Sequence, residues 1–493
     1  MSSRFNRSSG VLMHISSLPS PYGIGTLGKA AFDFVDFLSD AGQKYWQVLP
    51  MGHTGFGNSP YQCFSTVAGN PFFIDLNYII SQGLLTKEDV NTEVKNVCRV
   101  DFEEIIKTRM EILKKAFQNA SKLNEDIEAF ANENRDWLPD YSLFMAIKGK
   151  FGDKPIWEWK DDAIRKREPE AMAYYRDLLQ EEVRFFNFVQ YMFFEQWNKL
   201  KEYANLKGIQ IIGDIPIYPS PDSCDVWANP EIFKVDEIRR PSGIAGVPPD
   251  VYSETGQLWG NPVYNWKVLE ERGYDWWIWR IKHTLKIADV IRIDHFRAFQ
   301  DYWEVPAGET TAINGKWCPG PRMKFFEAVK KALGDIPIIA EDLGIIDDSV
   351  TELLKQTEYP GMKVMIFGLN ADEDNIHLPH NWGENCVGYT STHDSETFVQ
   401  RVEDVLSPRD REFAENYIGT NKSLGFGAIR SAFSSNARLV IIPMQDVLSL
   451  GAEGRMNTPS TIGNNWEWRA VKQDFTHKLA YKLHDITSIY KRC

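Results

Sequence analysis

The sequence predicts an α/β fold, a closed (β/α)8 TIM barrel, from two features of its pattern. Eight short apolar runs rich in β-branched residues recur along the 493 residues, and segments with helical periodicity lie between most of them. Runs such as IQIIGDIPI are almost continuously apolar, which is typical of parallel strands buried on both faces. A doubly wound open sheet is the competing architecture.

Local periodicity places the individual elements. The runs that predict strands are residues 10–18, 45–51, 209–217, 288–295, 336–343, 362–369, 386–392 and 437–447. Before the third run, apolar side chains spaced by three and four predict a helix, and they are Phe186, Val189, Phe193, Trp197 and Leu200. Asp101 and Glu104 form a capping-box pattern that predicts the start of an earlier helix. The side chains that this helix is expected to bury are Ile106, Met110, Leu113 and Phe117.

Two stretches are too long for a minimal barrel. Residues 52–201 have a mainly helical pattern and are predicted to form an inserted helical subdomain. Residues 219–280 are rich in Pro, Gly, Trp and Tyr and are predicted to form a lid or substrate loop. No compositional linker divides the chain, so residues 1–493 are expected to form a single catalytic barrel domain that carries both insertions.

Composition disfavours several classes of function. With 43% hydrophobic and 25% charged residues, the chain has the balance of a globular protein. A formal net charge of −13 disfavours nucleic acid and anionic membranes as partners. The six cysteines form no CxxC pair, and no long apolar segment occurs at the N-terminus or elsewhere. We therefore expect a cytoplasmic protein without structural zinc, a disulfide framework or a membrane span.

Aromatic residues are frequent, at 13% with sixteen tryptophans. A large core accounts for most of them. Flat rings also suit the C–H faces of sugars, so the same excess is compatible with a carbohydrate site. Composition alone leaves both interpretations open.

Acidic residues lie near the ends of four predicted strands. They are Asp214, Asp294, Glu341 and Asp394, with Arg292 and His393 beside two of them. In a barrel these ends share one mouth, where catalytic residues lie. Helix capping explains a single strand-end Asp about as well as function does. Four acids at one mouth repel each other and lose hydration, so a reaction that uses them is the better explanation.

The chemistry that suits this set is cleavage of a glycosidic bond with retention of configuration. Such a reaction needs an ionised carboxylate as nucleophile and a protonated carboxyl as general acid. Asp294 is the better nucleophile, because Arg292 lies two residues before it on the same strand face and keeps it ionised. Glu341 can hold a proton if it is partly desolvated, and Asp394 can hold sugar hydroxyls together with His393.

Metal and cofactor chemistry find little support. The sequence contains no HExxH motif, no EF-hand-type calcium loop and no GxxxxGK[ST] phosphate loop. No lysine ends any of the eight runs, which disfavours an aldolase that forms a Schiff base. We expect neither a metal nor a cofactor. His295 is predicted to be a hydrogen-bonded strand-end residue first and a substrate contact second.

Several segments together resemble a known family. The segments GDIP, RIDH, AED and THD, in this order, are similar to those of the α-amylase clan. The resemblance narrows to the amylomaltases, or 4-α-glucanotransferases, through GVPPDVYSETGQLWGNPVY at residues 246–264 and GNSPYQ at residues 57–62. The RMNTPS and GNNW segments near the C-terminus agree, and the match spans essentially the whole chain.

The resemblance implies a retaining transglycosylase without a separate C-terminal β-domain. It implies Asp294 as nucleophile, Glu341 as general acid/base and Asp394 as transition-state stabiliser. The implied contacts of the reacting sugar are Asp214, Arg292 and His393, with Tyr61 stacking beneath it. The implied acceptor-side and lid positions are Ser59, Asp250, Gln257 and Trp259.

The chain departs from the family pattern at a few positions. Val251 precedes Tyr252 where two aromatics are usual, and Phe56 replaces a common tyrosine. Ala298 stands where glycine is usual, and residues 395–396 are Ser-Glu in place of Asn-Asp. The departures bear on how a long acceptor stacks and on how large a ring the enzyme can close.

The predicted function is transfer of an α-1,4-glucan segment from a donor maltooligosaccharide to the 4-hydroxyl of an acceptor. An α-glucan hydrolase with the same acids is the alternative, and a non-catalytic glucan-binding protein is a further one. A hundredfold preference for sugar over water needs only about 2.7 kcal/mol, which a few lid contacts can supply. The partners are α-1,4-glucans, and the sequence makes no prediction of oligomeric state.

Overall fold

The fold comes from a computed structural model that describes residues 5–90, 94, 96–250, 253–419 and 423–493, without the side chain of Phe56. The strands are β1 (Ser8–Leu12), β2 (Tyr45–Gln47), β3 (Gln210–Ile215), β4 (Gly243–Val247), β5 (Gln257–Pro262), β6 (Val290–Ile293), β7 (Asp301–Pro306), β8 (Lys316–Pro319), β9 (Ile338–Ala340), β10 (Gly361–Val364), β11 (Cys386–Tyr389) and β12 (Leu439–Pro443).

Eight parallel strands close the predicted barrel in the order β1-β2-β3-β6-β9-β10-β11-β12 and back to β1. Each of the eight apolar runs overlaps one of these strands, so the prediction of the (β/α)8 fold is confirmed. The apolar runs extend beyond the strands because helical turns follow directly, as at Met444–Val447 after β12. Strand side chains such as Val11, Ile211 and Ile339 are fully buried, as expected for strands covered on both faces.

Helices cover the barrel and fill the insertion between β2 and β3. They are α1 (Lys29–Asp40), α2 (Leu76–Ser81), α3 (Phe102–Gln118), α4 (Asn124–Glu133), α5 (Leu138–Lys150), α6 (Asp162–Arg165), α7 (Pro169–Leu178), α8 (Gln180–Leu206), α9 (Cys224–Ala228), α10 (Trp266–Glu271), α11 (Asp275–Ile287), α12 (Met323–Leu333), α13 (Asp348–Thr357), α14 (Phe398–Gln400), α15 (Pro408–Ile418), α16 (Leu424–Ser434), α17 (Met444–Val447) and α18 (His477–Ile489). In the described part of the chain, no helix is long and apolar enough to cross a membrane.

The helix before the third barrel strand is confirmed as α8, and its five predicted apolar positions are buried. The earlier helix α3 begins where predicted, since the Asp101 side chain accepts a hydrogen bond from the Glu104 backbone N–H. Its predicted buried face is partly wrong, because Ile106 is 50% exposed. Leu113 is fully buried as predicted, and Met110 and Phe117 are half-buried. The neighbouring Ile105, about 100° around the helix from Ile106, is the isoleucine that faces inward.

Residues 219–280 contain regular structure that the sequence did not reveal. Strands β4 and β5 join β7 and β8 in a four-stranded antiparallel sheet, in the order β5-β4-β7-β8. The sheet therefore combines a segment that follows barrel strand β3 with a hairpin that follows barrel strand β6. Helix α11, at the end of this stretch, leads directly into β6.

Candidate active site

Two neighbouring strands hold a buried cluster of charges. Asp214 on β3 and Arg292 on β6 are register partners. The Arg292 Nη1 donates to both carboxylate oxygens of Asp214, at 2.6 and 2.8 Å. The other terminal nitrogen, Nη2, lies 3.0 Å from Oδ1 of Asp294. Arg292 thus fixes two carboxylates at once, and the predicted contact between Arg292 and Asp294 is confirmed.

Glu341 follows the next barrel strand, directly beside Asp294. Its backbone N–H donates to the carbonyl of Ile293, which precedes Asp294. Its side-chain oxygens accept hydrogen bonds from the backbone N–H groups of His295 at 2.6 Å and Leu343 at 2.8 Å. His295 adopts a left-handed backbone with φ of 52°. The two acids therefore stand at adjacent strand ends.

Burial and nearby negative charges raise the pKa of both acids. For Glu341, burial acts first and the Asp294 charge adds to it, and these outweigh Arg292 and the two backbone N–H groups. For Asp294, burial raises the pKa, while the adjacent Arg292 cation opposes the rise. The pKa is raised further for Glu341 than for Asp294. The environment thus favours a proton on Glu341 and a charge on Asp294.

An aromatic pair faces these acids across the cleft. The Tyr61 hydroxyl donates to Oδ2 of Asp214 at 2.7 Å. The same hydroxyl lies 2.7 Å from Nε2 of His393, and the two rings are stacked, with centroids 5.5 Å apart and planes 9° apart. Trp466 contacts both rings. Tyr61 therefore links the strand-borne charges to the segment that carries His393.

Asp394 lies on the same side as His393 and is 42% exposed. Its Oδ2 is 3.1 Å from Nε2 of His393, and its Oδ1 accepts a hydrogen bond of 2.7 Å from the amide of Asn457. Burial disfavours ionisation of Asp394, but the charge of His393 and these hydrogen bonds outweigh it and lower the pKa to about 2. Burial also opposes protonation of His393, and Asp394 outweighs it and raises the pKa of the imidazole.

The second sheet reaches the cleft through Trp259 on β5. Its indole meets the His295 ring edge-on, with centroids 4.8 Å apart and planes at 87°. The indole N–H donates to the Gln257 side chain at 3.1 Å. The amide of Gln62 donates to the backbone carbonyl of Trp259 and to the Asn261 side chain. The sheet is thereby fastened beside Glu341, whose carboxyl holds the backbone of His295.

Similarity to known proteins identifies the family of this chain. The sequence model of the 4-alpha-glucanotransferase family matches residues 13–473. The chain belongs to this family. A 4-alpha-glucanotransferase of Clostridium butyricum is 49% identical over 487 residues, covering 98% of this chain and all of the relative. One of Streptococcus pneumoniae is 45% identical over 492 residues, covering 99% and 97%.

Solved structures agree with this assignment. The amylomaltase of Streptococcus agalactiae in complex with acarbose superposes with a TM-score of 0.96 and is 45% identical, covering 99% of each chain. The resemblance inferred from the sequence segments is therefore confirmed.

The structure connects most of the predicted site residues of this family member. One contiguous network contains seven of them, which are Asp214, Arg292, Asp294, Glu341, Tyr61, His393 and Asp394. Ser59 supports it from behind, since its hydroxyl accepts the Tyr61 backbone N–H. The Asp250 carboxylate closes its own turn, where its Oδ1 accepts the Ser253 backbone N–H at 2.8 Å.

The structure shows the surroundings of three residues that depart from the family pattern, Ala298, Ser395 and Glu396. Ala298 is fully buried behind the site. Ser395 closes its own loop, because its hydroxyl accepts the Thr392 backbone N–H. Glu396 pairs with Arg455 at 3.1 Å. Val251 and Tyr252, with the Phe56 side chain, lie outside the described residues.

Asn457 is a site residue that reasoning from residue types missed. It lies in the RMNTPS segment, far from any barrel strand end, and its amide holds Asp394. Arg455 in turn donates to the Asn457 backbone carbonyl while it pairs with Glu396. The only signal in the sequence was the family resemblance of that segment. Among the described residues, no group of three or more His, Cys, Asp and Glu side chains is arranged to hold a metal ion.

Proposed function

We propose that this protein is a retaining 4-alpha-glucanotransferase that moves α-1,4-glucan segments between maltooligosaccharides through a covalent intermediate on Asp294. The observation that carries the proposal is the contrast between two neighbouring acids. Asp294 has a cation 3.0 Å away, whereas Glu341 is held by backbone N–H groups and has the more strongly raised pKa. One nucleophile and one proton donor are the two groups that the reaction needs.

The first half of the reaction breaks the donor linkage. Asp294 attacks the anomeric carbon, and Glu341 gives its proton to the leaving glycosidic oxygen. The leaving glucan departs with a free 4-hydroxyl. In the second half, Glu341 takes the proton from an acceptor 4-hydroxyl, which attacks the anomeric carbon and releases Asp294. Two successive displacements at the anomeric carbon retain the α-configuration. The linkage formed is of the same kind as the linkage broken, so the reaction needs no cofactor.

The other network residues bind the sugar that reacts. Asp394, ionised and partly exposed, accepts hydrogen bonds from ring hydroxyls and stabilises the positive charge of the oxocarbenium-like transition state. His393 and Asp214 are the neighbouring polar groups, and Tyr61 supplies the flat surface beneath the ring. Arg292 keeps Asp294 ionised.

The second sheet forms the acceptor side of the cleft. Trp259 and His295 present adjoining rings there, and Gln257 holds the indole in place. Ser59 and Asp250 belong to the loops that border this side. These groups favour an incoming sugar over water.

We also place the enzyme in the cytoplasm, because its six cysteines are unpaired, which suits a reducing compartment.

Incubation of the purified protein with maltotriose tests the proposal. A ladder of longer oligosaccharides with glucose as co-product is expected. Accumulation of glucose and maltose alone would make the protein an α-glucan hydrolase. Binding without any product would make it a glucan-binding protein. Trapping of a glycosylated peptide that contains Asp294 from an incubation quenched with acid tests the covalent intermediate.

A further inference from the structure

The segment that carries His393 and Asp394 is not fixed by a strand. Strand β11 ends at Tyr389, and helix α14 begins at Phe398. We call residues 390–398 the 390–398 loop. Its two site residues therefore lie several residues beyond the last ladder contact of β11, and other contacts must set their position.

A buried carboxylate joins the two ends of this loop. Asp446 lies in α17, directly after β12, and is completely buried. Its Oδ2 accepts hydrogen bonds from the Thr390 and Ser391 hydroxyls, at 2.5 and 2.6 Å. Its Oδ1 accepts the Phe398 backbone N–H at 2.8 Å. One side chain thus holds the beginning and the end of the 390–398 loop.

A second contact fastens the same end of the loop to the same part of the chain. The Thr397 hydroxyl donates to the carbonyls of Leu450 and Gly451, which follow α17. The stretch after β12 therefore forms the base on which the loop rests. Asp446 is the charged group of that base, and its three donors are all neutral.

The chemistry of Asp446 suits a geometric role. A buried carboxylate contributes little net stability compared with an apolar side chain of similar size, because burial removes its hydration. The carboxylate does require each of its donors to keep a fixed position, because a lost hydrogen bond leaves a buried carboxylate oxygen unpaired, which costs free energy. Asp446 therefore favours a single conformation of the loop over other packed arrangements.

We propose that Asp446 is a positioning residue that holds the 390–398 loop closed, so that His393 and Asp394 face the sugar bound between them and Asp294. The inference rests on the proposed function for its catalytic consequence. The contacts that it concerns are independent of any substrate.

Two substitutions separate the effect of the hydrogen bonds of Asp446 from the effect of its side-chain volume. Asp446→Leu fills a similar volume but accepts no hydrogen bond. Asp446→Asn can still accept from the Phe398 N–H while its amide donates to the two hydroxyls, which can rotate to accept. We expect kcat on maltotriose to fall about tenfold to a hundredfold in Asp446→Leu, because a misplacement of about 1 Å has that effect. The Asn variant should recover most of this loss, and KM should change little in either.

Asp75 provides a matched control. It is a buried carboxylate that accepts the Thr26 hydroxyl at 2.7 Å and the Tyr78 backbone N–H at 2.9 Å, and it has no place in the catalytic network. Asp75→Leu should leave kcat unchanged at temperatures where the variant is folded, whatever its effect on Tm. If Asp446→Leu does not fold, Thr390→Val and Ser391→Ala each remove one donor and take its place in the same assays.

Two further measurements decide the outcome. In a His393→Ala background, Asp446→Leu should lower kcat by a smaller factor than in the wild type, because part of its effect passes through His393. Equal factors in both backgrounds, or a folded Asp446→Leu variant with wild-type kcat, would overturn the proposal. Hydrogen–deuterium exchange of the 390–398 loop should rise in Asp446→Leu and not in Asp75→Leu, and unchanged exchange would also overturn it. If the wild type shows no glucan turnover, the proposed function fails, and this exchange comparison still decides whether Asp446 holds the loop.

Discussion

The two sides of the catalytic cleft are held by different means. On the strand side, Asp214 and Arg292 are register partners on adjacent barrel strands and are almost completely buried. On the loop side, His393 and Asp394 lie beyond the end of β11, and Asp394 remains 42% exposed. Strand pairing orients the first pair, whereas hydrogen bonds between side chains orient the second.

This difference separates the parts of the reaction. In the proposed mechanism, the groups that make and break bonds are Asp294 and Glu341, which directly follow barrel strands on the strand side, and barrel geometry leaves them little freedom. The loop side, with the second sheet, holds the groups that recognise sugar rings. Loops tolerate sequence change better than barrel strands do, so specificity can vary while the two acids stay in place. Substitutions on the two sides should therefore have different consequences.

The largest effect is expected from Asp294→Asn on the strand side. Loss of the nucleophile should lower transfer from maltotriose about 10⁴-fold or more. Folding should be retained, because Arg292 keeps both hydrogen bonds to Asp214. Glucose release and a circular dichroism melt measure the two parts of this prediction. Transfer within tenfold of the wild type would remove Asp294 from the mechanism.

Glu341→Gln serves as the companion variant. With maltotriose it should be almost as inactive, because no proton reaches the leaving oxygen. With an α-glucosyl fluoride donor, whose leaving group needs no proton, formation of the glycosyl-enzyme should recover and that of Asp294→Asn should not. A variant that stays equally inactive on both donors would speak against the acid role of Glu341.

The next largest effect concerns stability. Arg292→Met leaves Asp214 buried without its cation, which should cost about 3 to 5 kcal/mol of unfolding free energy. The exposed pair of Lys29 and Asp33 offers the matched control, and Lys29→Met should cost less than about 1 kcal/mol. Urea titrations of both variants measure the difference. Similar costs for the two substitutions would contradict the view that the strand side is the rigid one.

The contrast also explains how much of the molecule could be predicted from its sequence. Continuous apolar runs identified all eight barrel strands, and the acids at or near their ends identified the strand side, since both signals are local. The predicted buried face of α3 was partly wrong because Ile106 and Ile105 are adjacent isoleucines, and only packing against the rest of the fold decides which one faces inward.

The remaining features depend on contacts between distant segments. The second sheet pairs β4 with β7, which are separated by more than fifty residues and by one barrel strand. No local sequence pattern therefore predicts this pairing. Asn457 reaches Asp394 from 63 positions away along the chain. The contact of Tyr61 with His393 spans 332 positions. Family resemblance suggested some of these residues, and residue chemistry alone did not.

A pH profile of kcat/KM tests the comparison of the strand side with the loop side, with a smaller expected effect than the substitutions above. In the proposed mechanism Glu341 acts as a protonated acid, so its raised pKa should keep kcat/KM high to a pH well above the ordinary carboxyl range, with activity lost as pH rises through that pKa. Asp294 acts ionised, so its raised pKa should move the acidic limb upward. The pKa of His393 is raised as well, so it offers a rival source of the alkaline limb. The alkaline limb of the pH profile should persist in His393→Gln. Its disappearance in that variant would assign the alkaline limb to His393, on the loop side.

The smallest effect is expected for Trp259→Ala on the acceptor side. Removing the indole takes away its edge-on contact with His295, a kind of interaction worth about 0.5 to 1.5 kcal/mol, so the ratio of transfer to hydrolysis should fall about threefold to tenfold. Hydrolysis of maltotriose creates new reducing ends and transfer does not, so a reducing-end assay measures hydrolysis and the yield of longer oligosaccharides measures transfer. Trp317→Ala is the matched control, because Trp317 lies in the same sheet and packs on Trp303 and Arg297 instead. An equal shift in both variants would mean that the sheet acts only through its stability, whereas a shift in Trp259→Ala alone identifies the indole as the group that keeps water from the intermediate.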